Sequence, residues 1–316
     1  MPELVENFRE VLQEHTAGCP MHEEVIWTDL TASDISERLT EHGTPVSVHI
    51  VEQLLEQEGF RRRQAVKSCA MGSNPDRDAQ FLNIAQRKHD YLLSPDPVLS
   101  IDSKKRELLG NFYRDGKLLT KEAVQAFDHD FPSFAEGVVL PHGLYDLKRN
   151  CGYVHLGTSH DTSAFACDCL EDWWRRYGQQ HYPAAESLLL LCDGGGSNSA
   201  RTYLFKADLQ SLVNRIGLPV RVAHYPPYTS KYNPIEHRLF PHLTRACQGV
   251  LFTSVQLVKR LMDKAKTRTG LRVVVDIMDR VYETGRRVAE EVKNSLNILR
   301  DELLPLWNYR MVPAEN

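Results

Sequence analysis

Apolar residues recur along this chain with two different periods, and the change from one to the other divides it. Over residues 29–60, DLTASDISERLTEHGTPVSVHIVEQLLEQEGF, the spacing is helical. Ile35 and Leu39 mark one face, with Ser33 as a cap. Ile50, Val51, Leu54 and Leu55 mark a second, with Ser47 as its cap. Two short helices joined by a Gly-containing turn fit a helix-turn-helix whose second helix reads a DNA groove. A plain helical hairpin fits the same pattern, and Glu52, Glu56 and Glu58 would repel DNA if they faced it. Arg61, Arg62 and Arg63 follow directly, placed to hold phosphates. Asp76 to Leu93 predicts a longer amphipathic helix on Phe81, Ile84, Ala85 and Leu92, closed by Pro95 and Pro97. The boundary is placed there, making 1–95 a helical, helix-turn-helix-like DNA-binding region.

Beyond residue 95 short apolar runs alternate with helical patterns. PVLSIDS, ELLGNFY and CGYVHLGTS read as three strands, with a loop-rich insertion around 115–148. TSAFACDCLEDWWRRYG is a helix, SLLLLCD a fourth strand and SARTYLFKADLQSLVNRIG a second helix. PVRVAHYPP is a fifth strand and NPIEHRLFPHLTRACQG a third helix. The order β-β-β-α-β-α-β-α predicts an α/β fold with a mixed sheet flanked by helices over 96–268. Residues 269–316 are a C-terminal extension.

Composition narrows the class. With 42% hydrophobic and 25% charged residues the chain is ordinary for a soluble globular protein. Its longest apolar run, Leu188 to Cys192, is far short of the ~20 residues of a membrane span. The start, MPELVENFREVLQEH, lacks the basic-then-apolar order of a signal peptide. Seven cysteines without a CxxC pair read as reduced thiols in the cytosol. His15, Cys19 and His22 offer three zinc-type ligands without a fourth. The net charge of −4 excludes a basic coat but leaves room for local DNA contact.

Three acids carry the chemistry. Asp102 lies on the first strand, Asp193 ends the fourth, and Glu236 opens the third helix. Strand order brings them to one edge of the sheet. Two like charges at about 4 Å repel by roughly 4 kcal/mol at an effective dielectric near 20. Hard divalent cations relieve this, and oxygen-only ligands select Mg²⁺ or Mn²⁺. Two ions about 3.5–4 Å apart clamp the attacking and leaving oxygens of an in-line phosphoryl displacement. The glycines after Asp193 leave room for such a site, and Ser197 or Ser199 starts a helix whose N–H groups favour an anion.

The stretches HTAGCPM, NPDRDAQF, SIDSKKRELLGNF, LGTSHDTSAFA, CDGGGSNSAR, PPYTSKYNPIEHRLF and TRTGL are spread from about residue 15 to 271. Together they resemble the ISAzo13-family insertion-sequence transposases, DDE enzymes related to the IS630/Tc1/mariner superfamily. The resemblance implies an RNase H-like catalytic domain with Asp102, Asp193 and Glu236 as its acids. It implies metal-dependent cutting and joining of DNA at element ends, by a homo-oligomer on DNA in the bacterial cytoplasm. Lys104, Asn198, Lys231 and Asn233 match motif positions, and phosphate contact or positioning is their expected role. Members usually begin with a further helix-turn-helix segment that reads the element's ends; this sequence begins at MPELVENF. Pro241, five residues after Glu236, predicts a kink in the third helix. Two rivals stay open: an RNase H-like nuclease without strand transfer, and a repurposed DNA-binding remnant. Near the acids, His224 and His237 are read as structural and Asp161 as a helix cap; for Tyr225 and Tyr228, which flank Pro226-Pro227, DNA stacking is the lesser alternative.

Overall fold

The computed structural model describes residues 2–19, 22–63, 75–195, 200 and 202–314. It divides into two compact units, residues 1–69 and 70–316.

In the first unit, α1 (Pro2–Glu14), α2 (Ala32–Glu41) and α3 (Val48–Gln57) pack around Phe8, Ile35, Leu39 and Val51. A hairpin of β1 (Thr16–Cys19) and β2 (His22–Thr28) joins α1 to α2. The α2 cap is Thr31 rather than Ser33. Thr31 and Asp34 form a reciprocal capping box, the Thr31 N–H donating to the Asp34 carboxylate at 2.8 Å. Ile50, expected inside, is 36% exposed, because the buried stripe of α3 runs through Val51 and Leu54. Arg61, Arg62 and Arg63 are exposed, with Arg61 paired to Glu56 at 3.1 Å.

The second unit is built on a nine-stranded mixed sheet. Its strands are β3 (Val98–Ser103), β4 (Glu107–Leu109), β5 (Gly137–Asp146), β6 (Cys151–Gly157), β7 (Leu188–Asp193), β8 (Val220–Tyr225), β9 (Arg272–Met278), β10 (Ile298–Arg300) and β11 (Asn308–Met311). They lie in the order β10-β11-β8-β7-β3-β5-β6-β9, with β4 beside β5. β3, β5 and β6 pair antiparallel, while β7 and β8 follow parallel to β3. That order, 3-2-1-4-5 among the five central strands, is the RNase H-like arrangement. On one face lie α5 (Ser163–Trp173) and α7 (Tyr203–Ile216), over Leu99, Ile101, Leu190 and Val222; the short α6 (Gln179–His181) follows a π-helical turn after α5. The other face carries α4 (Arg77–Leu93), α8 (Pro234–Arg238), α9 (Phe240–Ala246) and α10 (Val255–Met262); α11 (Glu290–Asn294) packs beside α7. No helix among the described residues is long and apolar enough to cross a membrane.

Three expectations are corrected here. The second strand of the sheet is β5, which lies inside the stretch 115–148 read as an insertion. ELLGNFY supplies only the three-residue β4, paired to the start of β5. Pro141 and Gly143 interrupt the strand pattern of GVVLPHGLYD and hide it. Second, α4 belongs with the sheet and not with the helical region that was to end at 95. Its Gln80 amide donates to the His224 carbonyl at 3.4 Å, and its Tyr91 hydroxyl meets Ser187 at 2.8 Å. Third, Pro241 kinks no helix. α8 stops at Arg238 and α9 restarts at Phe240, so the proline falls in a first turn, where no hydrogen bond is lost.

Candidate active site

β3 and β7 run parallel with Val98 opposite Leu189, Leu99 opposite Leu190 and Ser100 opposite Leu191. Continued two residues, that register sets Asp102 level with Asp193. Neighbouring strands lie about 4.8 Å apart and side chains alternate faces. Both aspartates therefore stand at the carboxyl edge, on the face that carries α4 and α8. Both are half-buried, as is Glu236.

Glu236 reaches this edge from the first turn of α8. The preceding Asn233 is fully buried and bolts the helix down. Its side-chain amide donates to the Ile101 carbonyl at 3.1 Å and to the Asp193 carboxylate at 3.4 Å. Its side-chain oxygen accepts from the Ser100 hydroxyl at 2.5 Å, and that hydroxyl accepts the Ile235 N–H at 3.0 Å. Asn233 thus links β3, β7 and α8, one element per acid. Buried and bonded on both its oxygen and its nitrogen, the Asn233 side chain does not face a phosphate, contrary to the contact expected of it.

α8 can lie this close because Gly143 sits directly opposite Asp102 on β5. A Cβ there would meet Ile235 and Phe240 at 2.8 Å, and one at Gly152 would collide with Leu239. Neither glycine stood out in the sequence. Gly194 has a packing reason of its own: a Cβ on it would lie 3.0 Å from the Trp307 ring.

The electrostatics report the crowding. Burial, then Asp193 and Glu236, push the Asp102 carboxyl up to about 7, against the Ser103 N–H that donates to it at 2.8 Å. Asp193 rises to about 6 through burial and Glu236, against the Asn233 amide. An all-oxygen set in which two crowded aspartates resist ionising fits a hard divalent cation. The three are spread more widely than His155, Asp172 and Asp276, whose ligand atoms all lie within 4.8 Å of one another; in that group Arg176 already neutralises both aspartates, at 3.1 and 2.8 Å.

The remaining expected residues separate. Lys104 is mostly buried and paired to Glu107 at 2.5 Å, which Arg114 also bonds. Lys231 is exposed, its ammonium 5.2 Å from the centre of the Tyr232 ring. The arginine triplet belongs to the other unit. Asn198, with Ser197 and Ser199, lies outside the described residues, and so do the side chains of Cys19 and His22.

His224 is structural: burial holds its pKa near 4, so the ring is neutral. Its Nδ1–H donates to the Asp193 carbonyl and its Nε2 accepts from the Tyr309 hydroxyl, both at 3.1 Å. His237 is exposed and bonds the Lys231 carbonyl. The α5 cap is Thr162, not Asp161, which instead accepts the Ser103 hydroxyl at 3.0 Å. Tyr225 is buried against Phe81, and Tyr228 is exposed.

No curated protein sequence matches the chain. Among solved structures it is similar to a Mos1 transposase paired-end complex with the left transposon end, at 16% identity and TM-score 0.48 over 83% of this chain and 71% of that one. It is likewise similar to the mariner Mos1 paired-end complex with Mg, at 15% identity and TM-score 0.49 over 81% and 69%. The Mos1 strand transfer complex gives 16%, 0.48, 83% and 71%. A family model described as the Rhodopirellula transposase DDE domain matches residues 7–313, nearly the whole sequence, and the chain belongs to that family, the ISAzo13-type transposase DDE domains.

Proposed function

We propose that this protein is a DNA transposase of the DDE type. It cuts DNA at the ends of an insertion sequence and joins the freed 3′-hydroxyl to target DNA. Asp102, Asp193 and Glu236 are its catalytic acids and would hold Mg²⁺ or Mn²⁺, as a pair of ions. The observation that carries this reading is the gathering of three carboxylates on one sheet edge, with two of them pushed up to about 7 and 6. Structural ion pairs lower carboxylate pKa values, whereas Asp102 and Asp193 are raised and none of the three acids has an ion-pair partner among the described residues.

Bound divalent ions would supply positive charge for the phosphoryl oxygens and lower the pKa of the attacking hydroxyl. The chain's own residues set the geometry. Rigid β3 and β7 hold the two aspartates, α8 brings Glu236 over Gly143, and Asn233 fixes the Asp193 carboxylate. His224 holds the backbone behind it. In this reading the partners are element ends and target DNA, bound by a homo-oligomer. The helix-turn-helix-like region with Arg61, Arg62 and Arg63, together with Lys231, gives sequence-independent contact.

The test is cutting and joining of oligonucleotides that carry the repeats flanking the gene, with Mg²⁺, by wild type and Asp193→Asn. Wild type should give both nicked and joined product, and the variant neither. Nicking without joining would replace this reading by a nuclease. Equal activity of the two proteins would refute the site.

A further inference from the structure

The loop between β8 and α8, PPYTSKYN at 226–233, leads from the strand beside Asp193 to the helix of Glu236. It is tightly held. The Thr229 hydroxyl is buried and donates to the Pro226 carbonyl at 2.6 Å. Tyr232 packs edge-on against Phe81 of α4, ring centres 5.0 Å apart, and Asn233 is bolted as described. Between these anchors Tyr228 has φ +62° and is 73% exposed. A bulky residue pays for that left-handed conformation, which glycine or asparagine adopts at lower cost. Here the cost returns no buried contact area. A rigid loop that spends strain to hold an aromatic ring in solvent points to a ligand for the ring.

The surroundings say which ligand. Lys231 is exposed and makes no ion pair among the described residues. Arg77, in the first turn of α4, lies 5.9 Å from the centre of the Phe81 ring. Aromatic faces flanked by cations, beside a carboxylate edge that takes phosphodiesters, suit an unpaired nucleotide: base on ring, phosphate on cation. We propose that Tyr228 is a stacking platform for an unpaired base of the DNA strand that crosses the carboxylate edge, with Lys231 and Arg77 on its flanking phosphates. This rests on the transposase reading and adds a substrate-positioning site to it.

The probe is a duplex carrying the gene's flanking repeat, with a single-stranded flank that holds 2-aminopurine next to the cut. Wild type and Tyr228→Trp should quench the probe. Tyr228→Gly should lose the quench and bind roughly tenfold more weakly, while fully paired DNA loses much less. Because glycine relieves the strain, this variant should melt no lower than wild type. Should it melt lower, Tyr228→Asn takes its place with the same expected losses. A folded variant that quenches and binds like wild type overturns the platform and leaves the transposase reading standing. A wild type that neither binds nor cuts DNA refutes both.

Discussion

A single amide decides how three acids are held. Asn233 is the only described side chain that bonds both the Asp193 carboxylate and the strand of Asp102. Groups that orient metal ligands typically cost 10–100-fold in affinity or activity when removed. Asn233→Ala should therefore cut DNA roughly 10–100-fold more slowly and need more Mg²⁺ for half-maximal rate. Stranding the Ile101 carbonyl and the Ser100 hydroxyl should also cost about 1–3 kcal/mol of stability. A Mg²⁺ titration of cutting and a denaturant melt check the two effects separately. If the half-saturating Mg²⁺ does not move, Asn233 is only a structural bond. That three carboxylates share one sheet edge was legible from the sequence, because the order of strands and helices puts the ends of β3 and β7 and the start of α8 together. The inward turn of Asn233 was not, since its partners lie 132 and 133 residues away.

Among elements, α8 and β5 depend on each other. The helix lies flat only because β5 offers Gly143 opposite Asp102, while Gly152 on β6, opposite Tyr145, leaves room for Leu239. Gly143→Ala should push Ile235 and Phe240 outward, lowering stability by about 1–3 kcal/mol as overpacking does. It should also lower cutting, since Glu236 rides on the same helix. Thermal melts and the cutting assay on one preparation test this; a variant as stable and active as wild type would show that α8 is not seated by this glycine. Most of the βαβ pattern was readable, because buried parallel strands are continuous apolar runs such as LLLLC. β5 was not. Its proline and glycine are turn signals locally, and only the neighbouring helix explains why a glycine belongs in a central strand. α4 was found as a helix but assigned to the wrong unit, since amphipathic spacing shows that a face is buried and not against what.

For the whole molecule the acids create a pH dependence. Both Asp102 and Asp193 bind protons more tightly folded than unfolded. Between about pH 4 and 7 the folded chain thus holds more protons, and stability must fall as pH rises through that window. Metal-free protein should melt several degrees lower at pH 8 than at pH 5 from this source, at roughly 2–4 °C per kcal/mol. Mg²⁺ should restore most of the loss at pH 8 and little at pH 5, where protons occupy the site. Asp102→Asn should flatten the slope and remove much of the Mg²⁺ response. Melting curves in chelator and in Mg²⁺ at both pH values decide it; an unchanged slope in the variant would show that these acids are not the source.

The antiparallel contact of β11 with β8 has a consequence for synthesis. Residues 308–311 complete a sheet whose central strand is made some two hundred residues earlier. Trp307 rests on Gly194, and Tyr309 holds the histidine behind Asp193. While the ribosome has yet to reach this point, β8 has an open edge and the histidine lacks its partner. The nascent polypeptide therefore emerges with the backing of its carboxylate edge unfinished, and Asp193 gains its full support only once β11 is made.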